Sequence, residues 1–573
     1  MSRKLLEKAK RRLAAETGTH SNPWGGRLSV ALVYPNSYYH AMSNLGFQTV
    51  YHLLNSRNDT LCERFFLPDE DDLAEYRRTG TELFSLETGK PLRQFDLVAF
   101  SISFENDYLN LPAIFELGRI PWLAAERGED FPLLLSGGVC AFLNPEPLAE
   151  VMDLFAIGEA EPILPGLIEA LCVDASRTRD NLVSLASLSG IYVPSLYTVQ
   201  YDADGQISGW QVEGDAPLPV KRVWQADLDA SEARNFVQTE ETEFGDMALT
   251  EISRGCSRGC RFCAAGFLFL PSRQRSLDSL LEQADEGLCS RSRIGLVSPA
   301  VGDYPQLNEL QKGILERGGS VSVASLRIDS LTADEVDALV RSGHKTVALA
   351  PEAGSQRMRD SINKGVNEEQ ILHAVKLLSD GGVPNLKLYF LVGLPMEGEE
   401  DVREITSLTS RIREAWLPAG KRRGRLGSIH LSVNPFVPKP FTPLQWAPMA
   451  TAAELKKKMK VVRSDIGRLA NVSAGFESVR SALVQGLLSR GERELAAVVP
   501  MVATGMKMEA ACRQAGVDSG SILHRQRSEA EILPWEVVAS GVRRDYLWQE
   551  WQQSLSCKRV PRCFDACECC GVC

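Results

Sequence analysis

The stretch MALTEISRGCSRGCRFCAAGF, Met247 to Phe267, decides how the chain is to be read. Met247 to Ser253 is a short apolar run of strand length, and it leads directly into a loop carrying Cys256, Cys260 and Cys263 in the spacing C-x3-C-x2-C. Phe262 sits between the last two thiols, and an Arg-Gly pair precedes each of the first two. Downstream the same rhythm repeats. IGLVSPA, SVSVASL, KTVALAPEA, NLKLYFLVG and IHLSVNPF read as further strands, separated by helical patterns such as SLDSLLEQADEGL, TADEVDALVRSG and NEEQILHAVKLLSDGG. Six βα units in one run predict a partial (β/α)6, TIM-like barrel over residues 245–480, whose functional groups lie at the carboxyl ends of its strands. The three thiols follow the first strand, at that face.

Upstream, RLSVALVYP, FDLVAFSIS, FPLLLSGG and MDLFAIGEAE are strand-like and alternate with helical runs, which predicts a doubly wound, Rossmann-like parallel sheet over residues 1–190. Ligands of such sheets bind at the carboxyl ends of the strands. Those ends carry Asn36-Ser37, Ser101-Ile102-Ser103, Gly137-Gly138 and Gly158 to Glu161, which let a large planar ligand approach the backbone. Residues 191–244 read as a connecting segment, and residues 481–573 as a small, mainly helical region with a Cys-rich tail. The fold class is α/β.

A chain of 573 residues calls for two or three domains, and 44% hydrophobic with 24% charged residues is the composition of a folded protein. The net charge of −11 argues against a general nucleic-acid coat. The basic runs GKRRGRLG and LKKKMKVVRSDIGR read first as a solvated loop and a charged helix face, with RNA a secondary partner. MSRKLLEKAKRRLAAE is basic but lacks an apolar run after its charges, and no stretch of about 18 apolar residues occurs, so a cytoplasmic, membrane-free protein is expected. In a reducing compartment clustered cysteines are metal ligands or redox groups. Cys62, Cys140, Cys172, Cys289 and Cys512 are scattered and read as small apolar residues. Three thiolates can hold three irons of a cubane and leave the fourth open, whereas structural zinc wants a fourth protein ligand. A zinc or redox cluster is the alternative.

The C-x3-C-x2-C array with its internal Phe262 resembles the signature of the radical S-adenosylmethionine (SAM) superfamily. The resemblance implies a [4Fe-4S] cluster on Cys256, Cys260 and Cys263, with SAM chelating the open iron and being cleaved reductively to a 5′-deoxyadenosyl radical. It also implies a low-potential electron donor such as flavodoxin or ferredoxin. By the same resemblance, the backbone of Phe262 contacts adenine. SPAVGDYP, with Ser298 and Gly302, is the loop for the methionine amino group, although it lacks the usual Gly-Gly-Glu. Arg327 in SLRID is a substrate-carboxylate or ion-pair residue, Glu352 serves the ribose hydroxyls with Ser355 nearby, a plain surface carboxylate being the alternative, and Gly393 in LVGLP permits a close approach to adenine.

SGGVCAFLNPEPLAEVMDLFAIGEAE resembles the cobalamin-binding domain that precedes many radical SAM cores, which makes Ser101, Gly137, Gly138 and Glu159 cofactor-binding candidates. FVPKPFTPLQW, ILPWEVVASGV and the terminal CGVC resemble one branch of the same two-domain group. There is no Asp-x-His-x-x-Gly: around His40 stand Tyr38 and Ser43, so no histidine ligand to cobalt is implied and His40 reads as a polar wall residue. An empty domain is the alternative. In the tail CFDACECCGVC, the thiols of Cys563, Cys567, Cys570 and Cys573 suggest a second iron–sulfur cluster or a zinc ion, with a redox-active disulfide as the alternative. The implied activity is methyl transfer to an unactivated carbon. Corrin-free, methylthiolation-like chemistry is the second reading, and an iron–sulfur scaffold or sensor the non-enzymatic one.

Overall fold

The computed structural model describes residues 2–173, 182–323, 326–563 and 567–572. Its amino-terminal unit is a six-stranded sheet built from β1 (Leu28–Tyr34), β2 (Thr60–Phe66), β3 (Leu97–Ser101), β4 (Leu133–Gly137), β5 (Leu154–Ala156) and β6 (Ile191–Tyr192), in the order β2-β1-β3-β4-β5-β6. All pairings are parallel except β5 with β6. Every residue of β1 is buried, as a strand covered by helices on both faces requires. Strand order reverses between β1 and β3, and that switch point opens a crevice at the carboxyl edge.

Strand β2 escapes the sequence pattern because TLCERFF carries two charges in its middle. Both are buried: the Arg64 guanidinium lies between Glu16 (2.6 Å) and Glu87 (2.7 Å), and Glu63 accepts from Trp24 Nε1 (2.9 Å). Charges thus satisfied inside a protein break the apolar alternation without breaking the strand.

The connecting segment contributes a hairpin of β7 (Tyr197–Tyr201) and β8 (Ile207–Val212), then β9 (Val220–Lys221), which pairs with Val538–Ala539 from the far end of the chain. After β9, Val223 closes on the edge of the first unit. Its N–H donates to Ile157 O (3.0 Å) and its carbonyl accepts from Glu159 N (2.9 Å), astride Gly158. Gly158 has φ +139°, and a Cβ there would stand 2.0 Å from the Val223 oxygen. Gly158→Ala is expected to lower stability by about 2–4 kcal/mol, read as a shifted midpoint in urea with an unchanged slope.

The second unit begins with β10 (Ala248–Glu251), followed by the two-residue β11 (Ser253–Arg254) and β12 (Arg273–Gln274). Then come β13 (Arg293–Val297), β14 (Ser320–Val323), β15 (Thr346–Glu352), β16 (Asn385–Val392), β17 (Ser428–Pro435) and β18 (Val472–Phe476). They form two parallel arcs, β10-β13-β14 and β15-β16-β17-β18, in chain order. All six anticipated strands are present. β18 adds a seventh, hidden because VSAGF is short and has a glycine at its fourth position. In β16 and β17 buried residues alternate with half-buried or exposed ones, and Tyr389, Ser432 and Asn434 are on the less buried face.

Carboxy-terminal helices Val479–Arg490 and Leu495–Ala503 lock the two units together. Asn144 donates to the carbonyls of Ser489 (3.1 Å) and Gly491 (2.9 Å), Trp122 Nε1 to Ala496 O (2.8 Å), and Arg493 binds Glu146 (2.9 Å). One continuous apolar core runs through the first sheet, the second arc and these helices, while the first arc keeps a smaller core of its own.

Candidate functional site

The thiol loop, residues 255–272, is closed at its base by the antiparallel pairing of β11 with β12. Its neck is narrow. At Gly255, φ +78°, a Cβ would lie 2.5 Å from Phe269 O. Cys263 N donates to Cys260 O (3.0 Å) and Gly266 N to Cys263 O (3.1 Å), which curls the chain around the thiols. Buried Arg261 anchors this curl: Nε to Glu550 (3.0 Å), and guanidinium N–H groups to the carbonyls of Ser361 (2.8 Å) and Lys558 (2.9 Å). Phe262 is partly buried against the core.

Burial, and then the neighbouring Cys260, push the Cys263 thiol up to about 12, and burial raises Cys256 as well. Thiols so placed ionise only against positive charge, which bound metal supplies. Among the described residues no three His, Cys, Asp or Glu side chains converge on a point that would hold one ion.

The strand ends place the remaining candidates. Ser298 shares a 2.6 Å hydrogen bond with Ser253 and accepts from Ala300 N (3.0 Å). Gly302 lies beside the stem of Arg327. Arg327 is committed to Asp329 (2.8 Å) and approaches Asp303 (3.6 Å), in a network completed by Arg258 and by Arg562 of the tail, so of its two readings the ion-pair role is the one occupied. Glu352 ends β15 at φ +66° and pairs with Lys364 (3.2 Å). Burial pulls the Lys364 ammonium down, but Glu352 and Cys260 outweigh it and hold it raised. Lys364 was not singled out from sequence; a lysine in SINKG gives no sign that the fold turns it toward a thiol. Ser355 caps helix Gln356–Ser361, accepting from Met358 N and giving its proton to Asp401 (2.6 Å). Gly393 has φ +86°, and a Cβ there would meet Leu455 at 2.7 Å, on helix Ala452–Ile466.

Between the carboxyl edge of the first sheet and the thiol loop lies a cavity of about 490 Å³, lined mainly by apolar atoms. Leu32, Ala99 and Leu135 line it from the sheet, and Thr49 and Ile163 from helices Leu45–Asn55 and Ala160–Val173. On the side of the second unit it reaches Gly255, Phe269 and Ser298. Ser101, Gly137, Gly138 and Glu159 all line it; His40 does not, and its ring bonds to Ser37 Oγ (2.9 Å). Glu159 is not free to bind a ligand by charge. It is held by Arg254 (2.8 Å) and Arg273 (2.8 Å); burial alone would raise its carboxyl, and these guanidiniums keep it below the ordinary range.

The carboxy-terminal segment crosses the thiol loop. Val560 N donates to Asn363 Oδ1 (3.1 Å) and Cys563 N to Ser257 O (3.0 Å). Farther on, Cys567 and Cys570 are buried and Cys569 is exposed; Arg543 N donates to Cys570 O (2.8 Å). Cys573 lies outside the described residues. In the basic runs, Arg422 pairs with Asp380 (2.7 Å), Lys457 with Glu399 (3.2 Å) and Lys458 with Glu397 (2.8 Å).

This combination of a thiol loop after the first strand of a βα series and a preceding sheet agrees with what family comparison finds. Residues 250–409 match the family model described as the radical SAM superfamily, and residues 46–194 match that of the amino-terminal region of radical SAM proteins. Residues 250–409 thus form a radical SAM domain, and such a domain implies a [4Fe-4S] cluster and SAM. An uncharacterized protein of Methanocaldococcus jannaschii is 29% identical over 470 residues, covering 82% of this chain and 89% of its own. The anaerobic magnesium-protoporphyrin IX monomethyl ester cyclase of Rubrivivax gelatinosus is 24% identical over 317 residues, 54% of this chain and 53% of that protein. Among solved structures, Streptococcus suis SuiB bound to SAM aligns with a TM-score of 0.29 at 14% identity, over 41% of this chain and 51% of that one, a likeness too low to build on. No described helix is long and apolar enough to cross a membrane.

Proposed function

We propose that this radical SAM enzyme holds cobalamin in the cavity between its two units and transfers a methyl group to an unactivated carbon. One observation carries the reading: the cavity touches both the carboxyl edge of the first sheet and Ser298 and Gly255 beside the thiols, so a ligand there would lie against the radical centre. Its residues suit a large planar ring. Ala99, Ser101, Gly137 and Ala156 present little side chain at the edge, and the slot between the two helices offers apolar cover for an appended arm. Among the described residues no histidine lines the cavity, so the corrin would be held by its faces and rim rather than through a protein ligand to cobalt. When bound, the cluster supplies the electron that cleaves SAM, and cobalamin carries the methyl group. The chain's own part is to anchor the iron through Cys256, Cys260 and Cys263, and to keep Lys364 and Glu352 at the mouth beside them. A cytoplasmic setting and a low-potential flavodoxin- or ferredoxin-type donor belong to the same reading.

Protein isolated without oxygen from a corrin-supplied host should show corrin absorbance near one equivalent per chain and convert SAM to 5′-deoxyadenosine with dithionite. Corrin-free protein that still makes deoxyadenosine would replace methyl transfer by a corrin-free, methylthiolation-like reaction. We read the tail thiols as a second metal centre, iron–sulfur or zinc, since Cys567 and Cys570 are buried beside a strap that meets the thiol loop. Removing residues 563–573 should lower iron or zinc content; an unchanged content removes that centre.

A further inference from the structure

We propose that Glu159 couples the occupant of the amino-terminal cavity to the geometry of the thiol loop, so that filling the cavity tightens SAM binding; the proposal rests on the cofactor reading above. Arg254 and Arg273 are paired residues of the two-residue ladder that closes the loop, one on each side of its neck. Both reach the same carboxylate. Arg254 Nη1 lies 2.8 Å from Glu159 Oε2, and Arg273 donates to Oε1 (2.8 Å) and Oε2 (3.0 Å). A single side chain from the edge of the first sheet therefore holds both ends of the loop that carries the cluster ligands.

The clamp is stiff at its other end. Glu159 N is bonded to Val223 O (2.9 Å), its Oε2 also accepts from Gln225 N (3.0 Å), and Gly158 before it is packed onto Val223. Glu161 adds a second carboxylate to Arg254 (2.6 Å), and Glu251 a third (2.9 Å). The side chains of Glu159, Arg254 and Arg273 are only 6%, 14% and 8% exposed. Buried charges of this kind cannot exchange a partner for water cheaply, so movement of one carries the others. Glu159, Glu161, Glu251 and Arg254 all face the cavity, and Arg254 stands two residues before Cys256. A cavity ligand pressing on this set fixes the neck of the loop, and SAM then binds a loop already ordered. By linkage, SAM must tighten the cavity ligand by the same factor.

The test uses full-length, cluster-loaded protein with hydroxocobalamin as the cavity probe. SAM is titrated against the electron paramagnetic resonance signal of the reduced cluster, with and without the corrin. In the wild type the corrin should lower the SAM dissociation constant by about five-fold or more. Glu159→Gln keeps the shape and removes the charge; it should still bind both molecules, with the enhancement reduced to less than about two-fold. Arg273→Lys, which keeps the charge but loses the fork, should behave likewise and serves if Glu159→Gln does not fold. Coupling that survives in these variants, or a wild type that binds corrin without coupling, overturns the proposal. A wild type that takes up no hydroxocobalamin sinks the cofactor reading instead. The clamp then stands or falls on hydrogen–deuterium exchange: Glu159→Gln should speed exchange across residues 255–272, and unchanged exchange overturns it.

Discussion

Replacing Cys260 by alanine should leave a folded protein that makes no 5′-deoxyadenosine, a loss of at least about a thousand-fold against the wild type. The loop does not depend on this thiol for its shape. Its neck is closed by the Arg254–Arg273 pairing, its curl by backbone bonds from Cys263 and Gly266, and its position by Arg261 reaching Glu550, Ser361 and Lys558. On the proposed reading the substitution removes one of three iron ligands, and a cubane held by two thiolates would not keep a single open corner for SAM. Chromatographic assay of deoxyadenosine after dithionite reduction, alongside the iron content, checks this. Cys140→Ala, in the buried core of the first unit, should change neither and controls for the loss of a thiol as such. Deoxyadenosine formation persisting in Cys260→Ala would mean that the loop is not where SAM is cleaved.

The parts of this molecule that were legible in the sequence share a physical cause. Strands such as β1 and β4 are buried on both faces and read as nearly continuous apolar runs, and the thiol spacing is a local pattern that needs no tertiary knowledge. What stayed hidden depends on partners distant in sequence. Arg64 and Glu63 disguise β2 because their partners are Glu16, Glu87 and Trp24, none predictable from the strand itself. Glu159 could be placed at a strand end and hence beside a ligand site, yet its two arginines lie 95 and 114 residues away and turn it into a clamp. Gly393 could be read as making room for a cofactor, yet its contact with Leu455, 62 residues on, is not visible in the local sequence. Local pattern locates the face of a site; which side chains remain available there is decided by long-range pairing.

Ala99→Trp should abolish corrin uptake while sparing SAM cleavage, and it separates the two halves of the proposed chemistry more sharply than any change at the thiols. Ala99 stands on β3 with its small side chain among the cavity-lining groups, between Leu32 of β1 and Leu135 of β4. An indole there enters open space within a cavity of about 490 Å³. Overpacking strain should stay within about 1–3 kcal/mol, less wherever the ring covers exposed apolar wall. A planar corrin and the ring cannot share that space, so affinity should fall by more than about 100-fold, equivalent to about 2.7 kcal/mol or more. The thiol loop belongs to the other unit, and Ala99 makes no bond to it. Deoxyadenosine formation at saturating SAM and in the absence of substrate should therefore remain within about three-fold of wild type, under 1 kcal/mol in the barrier, while methyl transfer disappears. Corrin bands measured after desalting, together with deoxyadenosine yield, read out both halves. Full corrin uptake by Ala99→Trp would place the cofactor elsewhere and leave this cavity to the substrate.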